Sequence, residues 1–103
     1  MMDTIGLLTN YLRVARGRTD FHQSHQNLYS AILICFGKAL FQNPFRISRR
    51  ELMAFSAIRS YATYHKCLNG LVEVGLIDYR PSFHPKQASN ILVFEKVRKI
   101  DVI

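Results

Sequence analysis

The sequence predicts an α+β domain in which short amphipathic helices lead into a pair of strands. Three observations carry that reading. Apolar residues recur at helical spacing in four stretches before Gly75. Apolar and polar residues then alternate from Ile77 to Arg80, and Pro81 and Pro85 lie in the polar stretch that separates this strand from a second one at Ile91–Glu95. With 103 residues, 49% of them hydrophobic, the chain has apolar surface for one core, and no repeat asks for a second domain.

The first helix is expected over residues 3–16, DTIGLLTNYLRVAR. Ile5, Leu8, Leu12 and Ala15 form its apolar stripe, Tyr11 flanks it and Gly17 stops it. So short a helix is marginal alone and must pack either on its own domain or on a second copy of the chain. The second copy is the expectation, with residues 1–18 acting as a packing or dimerisation helix ahead of a main domain at 19–95. Residues 18–24, RTDFHQS, read as a linker with Thr19, Asp20 and Ser24 as cap candidates. The strongest helical signal follows at residues 25–41, with Leu28, Ile32, Cys35, Phe36, Ala39 and Leu40 on one side. Leu33 and Ile34 fall outside that side, so this helix is apolar over more than half its circumference and suits packing on two neighbours. Asn43-Pro44 breaks it, and Phe45-Arg46-Ile47 fits a brief strand.

Residues 43–77 organise the rest. Ser48 and Glu51 have capping-box spacing, in which each side chain satisfies the other's backbone N–H. Leu52 and Phe55, with Met53 beside them, give a short apolar stripe, and Ser56-Ala57-Ile58 is a compact connection plugged by Ile58. Ser60 caps a second helix whose core face is Tyr64, Leu68 and Leu71 and whose outward face is Ala62, Lys66, Asn69 and Glu73, with Thr63 and His65 on the flanks. Gly75 stops it, and Leu76 and Ile77 return to the core. Helix, short strand, helix, helix, strand, loop and strand is the order of a winged helix-turn-helix: a three-helix core with a small antiparallel sheet and wing, here behind an extra N-terminal helix. Residues 81–89 are the wing tip. Residues 96–103, KVRKIDVI, form a tail without a firm assignment.

Charge points the same way. The net charge is +7 and the sequence pI about 9.9, a balance that favours a polyanionic partner. Within residues 44–66, Arg46, Arg49, Arg50, Arg59 and Lys66 face a single acid, Glu51. The expectation is double-stranded DNA. Arg46, Arg49, Arg50 and Lys86 would set register on the backbone, while Arg59, Thr63, His65 and Lys66 explore base edges. Tyr61 near the start of the second helix is placed to touch a phosphate or a thymine methyl, or to pack on Ile58. From the wing, Gln87, Ser89 and Asn90 join Lys86 in reach of phosphates or the minor groove, with His84 a weaker candidate.

Ser48–Ile77 followed by the 78–95 hairpin resembles the winged-helix bacterial regulators of the MarR and GntR type. More closely, FHQSHQNLYSAI, NPFRISRRELMAFSAI, ATYHKCLNGL and YRPSFHP resemble small winged-helix proteins carried on mobile elements of gut-associated bacteria. The resemblance covers roughly residues 20–95. It implies a DNA-binding regulator, or an accessory factor in replication or excision. It also implies base contacts from Arg59, Tyr61, Ala62, Thr63, His65 and Lys66, with Ala62 standing where many relatives carry a polar residue; Ser60, at the start of the same helix, is counted with the expected DNA-binding residues.

Other chemistries find little support. Cys35 and Cys67 sit in apolar-periodic runs and read as buried thiols in a reducing compartment. His22 and His25 have no third ligand at metal spacing, the seven acids are scattered, and the glycines form no phosphate loop. Neither a signal peptide nor an apolar run of membrane-spanning length is apparent. The expectation is a cytoplasmic, non-enzymatic, homodimeric DNA-binding protein without cofactor, metal, small-molecule ligand or membrane partner.

Overall fold

The computed structural model of the chain describes residues 3–81 and 89–96. Among these the order is α1 (Thr4–Arg16), α2 (Gln23–Lys38), β1 (Phe45–Ile47), α3 (Arg49–Ser56), α4 (Tyr61–Glu73), β2 (Ile77–Arg80) and β3 (Ser89–Val93). Four helices and one three-stranded antiparallel sheet make an α+β architecture compatible with a winged helix-turn-helix arrangement.

α2 is the pillar. Eight of its sixteen residues are buried, from His25 to Phe36, and α1, α3 and α4 all pack on it. Each buried leucine, isoleucine or phenylalanine there contributes about 1.5–3 kcal/mol of hydrophobic stabilisation. Leu33 is among them, whereas Ile34 is half exposed. The helix begins on His22, so Ser24 lies inside it rather than at its cap. It also ends earlier than the sequence predicts, at Lys38. There the N–H groups of Leu40 and Phe41 donate to the carbonyls of Gly37 and Phe36, each at 3.0 Å. This is a Schellman stop with a leucine, φ 56°, in the left-handed position that glycine usually takes. Phe41 folds edge-on against Phe36 with ring centroids 5.3 Å apart, while Leu40 is left 82% exposed.

α1 corrects the expected stripe. Asp3 caps it by accepting from the N–H of Ile5 at 3.1 Å. Leu7 and Tyr11 are the residues it buries; Tyr11 stacks on Tyr29 of α2 with centroids 5.3 Å apart, and the Tyr29 hydroxyl donates to the Leu7 carbonyl at 3.3 Å. α1 therefore covers its own domain. Ile5 (75% exposed) and Leu12 (48%) stay on the outer shoulder, with Leu8 and Ala15 half-buried between the two faces.

α3 and α4 fall where their caps place them. The Ser48 hydroxyl accepts from the Glu51 N–H at 3.0 Å, and the Ser60 hydroxyl from the Thr63 N–H at 3.3 Å. The reciprocal half of the expected box is not made, because Lys38 at the end of α2 takes the Glu51 carboxylate at 2.9 Å. Ala57, at φ 59°, turns the chain between the helices, and Ile58 plugs the gap with 6% exposure. α4 closes on a complete Schellman pair: Gly75 N–H to the Val72 carbonyl at 3.0 Å and Leu76 N–H to the Leu71 carbonyl at 3.1 Å, with Gly75 at φ 83°.

The sheet order is β1-β3-β2, so β3 is the central strand. Phe45 faces Ile91, and Ile77 faces Val93; these four residues are buried. β3 runs from Ser89 to Val93 rather than from Ile91 to Glu95. Its end is fixed by Asn43, whose side chain donates to the Val93 carbonyl at 2.7 Å and accepts from the Val93 N–H at 2.9 Å. Beyond that point the Phe94 N–H turns to the Leu76 carbonyl, and Asn10 of α1 donates to the Glu95 carbonyl at 2.8 Å.

The leucine in the α2 stop gives a direct test of this geometry. Leu40→Gly removes a steric penalty in the left-handed region and sacrifices little buried surface, so it is expected to raise the unfolding free energy by roughly 0.5–1 kcal/mol. Urea unfolding should show a higher midpoint at unchanged slope, and a midpoint at or below the parent's would contradict the left-handed assignment.

Candidate nucleic-acid interface

A groove of about 680 Å³ opens between the N-terminal ends of α3 and α4 and the sheet. Among the described residues its cationic side chains are Arg49 and Arg50 from the first turn of α3 and Arg59 from the connection, and no acid among them lines it. Tyr61 and His65 line it from one flank of α4, and Tyr79 and Ser89 from β2 and β3. Five of the residues expected to contact DNA, Arg49, Arg50, Arg59, Tyr61 and His65, are thus brought together.

The geometry within the groove is ordered. The Arg49 guanidinium lies over the Tyr61 ring, 4.5 Å from its centroid, a cation–π contact that holds both at the rim. The Tyr79 hydroxyl donates to Ser89 Oγ at 3.0 Å and ties the two strands of the hairpin. Tyr64, on the core face of α4, is buried, and its hydroxyl has no hydrogen-bond partner among the described residues. Burial pushes that phenol up to about 12, with Tyr79 adding to the effect and Arg49 opposing it. Lys38 matters from outside. By pairing with Glu51 at 2.9 Å it occupies the acid nearest in sequence to the arginines.

The remaining expected contacts lie elsewhere. Ala62 is exposed on the outward ridge of α4, Thr63 is half-buried, and the Ser60 hydroxyl is engaged as a cap. Arg46 is exposed on β1 between buried Phe45 and Ile47, away from the groove. Lys86, Gln87 and His84 lie outside the described residues, so the wing tip is described only up to Pro81 and from Ser89. Ser89, expected as a contact of the wing, lines the groove from β3, and Tyr79 is a groove residue that sequence reasoning did not assign to it. The register of the sheet, Tyr79 opposite Ile91 and Ser89 opposite Ile47, sets the two beside α4.

Lys66 points to the other flank of α4, toward Phe21, His25 and Gly70. A Cβ on Gly70 would sit 3.2 Å from His25 Nε2, so this glycine is what lets α4 approach the start of α2 closely. His25 stacks on Phe21 with centroids 4.5 Å apart, and its Nδ1 accepts from the His22 N–H at 3.0 Å. That bond requires an unprotonated Nδ1.

No family model matches the chain, and neither a characterised protein nor a solved structure matches it. No helix among the described residues is long and apolar enough to cross a membrane, and no group of three His, Cys, Asp or Glu among them is arranged to hold a metal.

The His25 contact predicts a pH dependence. Burial lowers the His25 pKa below its ordinary 6.5, with His22 and Lys66 acting in the same direction and Asp20 opposing. The unfolded chain therefore binds the proton first as pH falls, and stability is lost with acidification below about pH 6.5. Thermal melts should show the midpoint falling between about pH 7 and about pH 5. His25→Asn keeps a cap acceptor without the titration and should give a flatter profile; equal slopes would remove His25 as the cause.

Proposed function

We propose that the chain is a winged helix-turn-helix protein that binds double-stranded DNA sequence-specifically and regulates transcription, working as a cytoplasmic homodimer. The observation that supports this most is the convergence of Arg49 and Arg50 from α3 and Arg59 from the connection that follows it, beside the exposed ridge of α4. Phosphates would be met by these guanidinia, and base edges by the ridge, where Ala62 permits close approach and His65 and Lys66 carry donors on either side. The resemblance to proteins of bacterial mobile elements makes such an element the natural setting. Replication or excision is an alternative role for the same surface.

The homodimer reading draws on the outer shoulder of α1. Ile5, Leu8, Leu12 and Ala15 repeat at alternating spacings of three and four, the pattern of a two-helix seam; Ile5 and Leu12 are exposed there, while Leu8 and Ala15 are half-buried against the protein's own core beside Leu7 and Tyr11.

A second reading is favoured by a different surface. Leu40, Phe41 and Phe55 are exposed near the end of α2, with the Lys38 ammonium 5.1 Å from the Phe55 ring centroid. An apolar patch of this kind suits a module that docks a replication or recombination protein.

Two measurements test the main reading. Binding to duplexes recovered by selection from a random library is expected to weaken steeply with salt, and Arg50→Ala and Arg59→Ala should each reduce the slope of log K against log salt by about one. An unchanged slope in both variants would discard the groove as the phosphate-contacting surface. Light scattering on the full chain is expected to give twice the 11.9 kDa chain mass, and Leu12→Lys to return a folded monomer. A parent protein that is monomeric throughout would eliminate the α1 seam.

A further inference from the structure

We propose that the groove between α3, α4 and the sheet seats one unstacked nucleotide, base and phosphate together. This deepens the DNA reading and rests on it for the source of the nucleotide, which we take to be a single-stranded end or junction rather than intact duplex. Contact with the phosphates of a duplex needs only cationic side chains on an open surface, because those phosphates line a convex exterior. The groove is concave and half open, and its volume of about 680 Å³ lies within the range of small-molecule sites, roughly 300–1,000 Å³.

Its walls divide the labour. Arg49, Arg50 and Arg59 supply guanidinia, the side chains best matched to a phosphate, and among the described residues no carboxylate lines the groove to compete for them. Tyr61, His65 and Tyr79 supply aromatic rings on the same cavity. Tyr61 is 61% exposed even with the Arg49 guanidinium stacked over its ring at 4.5 Å, so a planar cation already occupies the geometry that a base would extend. Cations tracking a backbone beside aromatic platforms are the pairing by which proteins hold single-stranded nucleic acid. A base within a paired stack cannot enter such a cavity without leaving the stack.

The experiment is fluorescence anisotropy on the full chain with a blunt duplex and the same duplex carrying a short single-stranded overhang. The overhang form is expected to bind at least about fivefold more tightly, in line with the contribution of base–aromatic stacking. Tyr61→Leu and His65→Ala, each checked for retained helicity, should bring that ratio close to one. Equal affinity for the two DNAs in the parent protein, or a preference that survives in both variants, would overturn the proposal while leaving duplex binding in place. Should neither DNA bind, the DNA reading fails and free nucleotide decides the groove. In that case dAMP, but not inorganic phosphate, is expected to move the amide resonances of Tyr61 and His65. Identical responses to the two anions would overturn the nucleotide seat.

Discussion

Burial of α2 against three neighbours is the constraint on which the remainder of the molecule depends. α3 and α4 are each anchored chiefly to α2 and are held relative to one another through it. Leu28, Ile32 and Phe36 are fully buried on the α2 side, and Leu52, Leu68 and Leu71 on the sides that meet it. A change in α2 packing would reorient both helices at once. The groove exists because their N-terminal ends converge over the sheet, so the spacing of Arg49 and Arg59 is a product of core packing rather than of any bond between them. That arrangement sets two like charges on one groove that no acid lines among the described residues. The electrostatic cost is lowered by solvent exposure and by the Tyr61 ring under Arg49.

The Lys38–Glu51 pair belongs to the same logic. An acid at the third position of α3 favours the helix start through the macrodipole. It would also sit near the arginines and weaken their field. Lys38, arriving from the end of α2, holds that carboxylate at 2.9 Å and keeps the helix-start benefit with less opposition to the cationic groove. Surface pairs of this kind add little stability, so the consequence lies mainly in the charge pattern.

Much of the architecture was legible where a local hydrogen-bonding rule fixed it. Ser48, Ser60 and Gly75 marked the ends of α3 and α4 because capping is chemistry between near neighbours. The end of α2 was not legible, since its left-handed stop is a leucine and the apolar period runs through Ala39, Leu40 and Phe41 without a break. α1 was legible as a helix but not in orientation. Its apolar arc is wide enough to contain two stripes, and only tertiary packing selects Leu7 and Tyr11 over Ile5 and Leu12. In the candidate site, the arginines announced themselves by density along the chain. Tyr79 did not, because its place depends on strand register, a long-range property. Lys66 shared a helix with its neighbour His65 and ended on the other flank, a separation that a single helical step of about 100° imposes.

The ridge of α4 carries a gradient along its length that orients any approach to a polyanion. At its start stand Ala62, the flanking Tyr61, His65 and Lys66, and the arginines of the neighbouring elements; at its end stands Glu73. The helix macrodipole adds a partial positive charge at the first turn and a negative one at the last. Both effects favour contact through the N-terminal half and repel the C-terminal end. Small size at Ala62 allows the backbone itself to approach, and the N-terminal N–H groups then lie near any phosphate that Arg49 or Arg59 holds. On the far flank Gly70 lets α4 sit tight against His25, with no side chain to pry the helix from its pillar. A glycine there costs about 1 kcal/mol of helix propensity relative to alanine. The cost is consistent with a helix whose position against α2 matters more than its own local stability, because that position carries the groove.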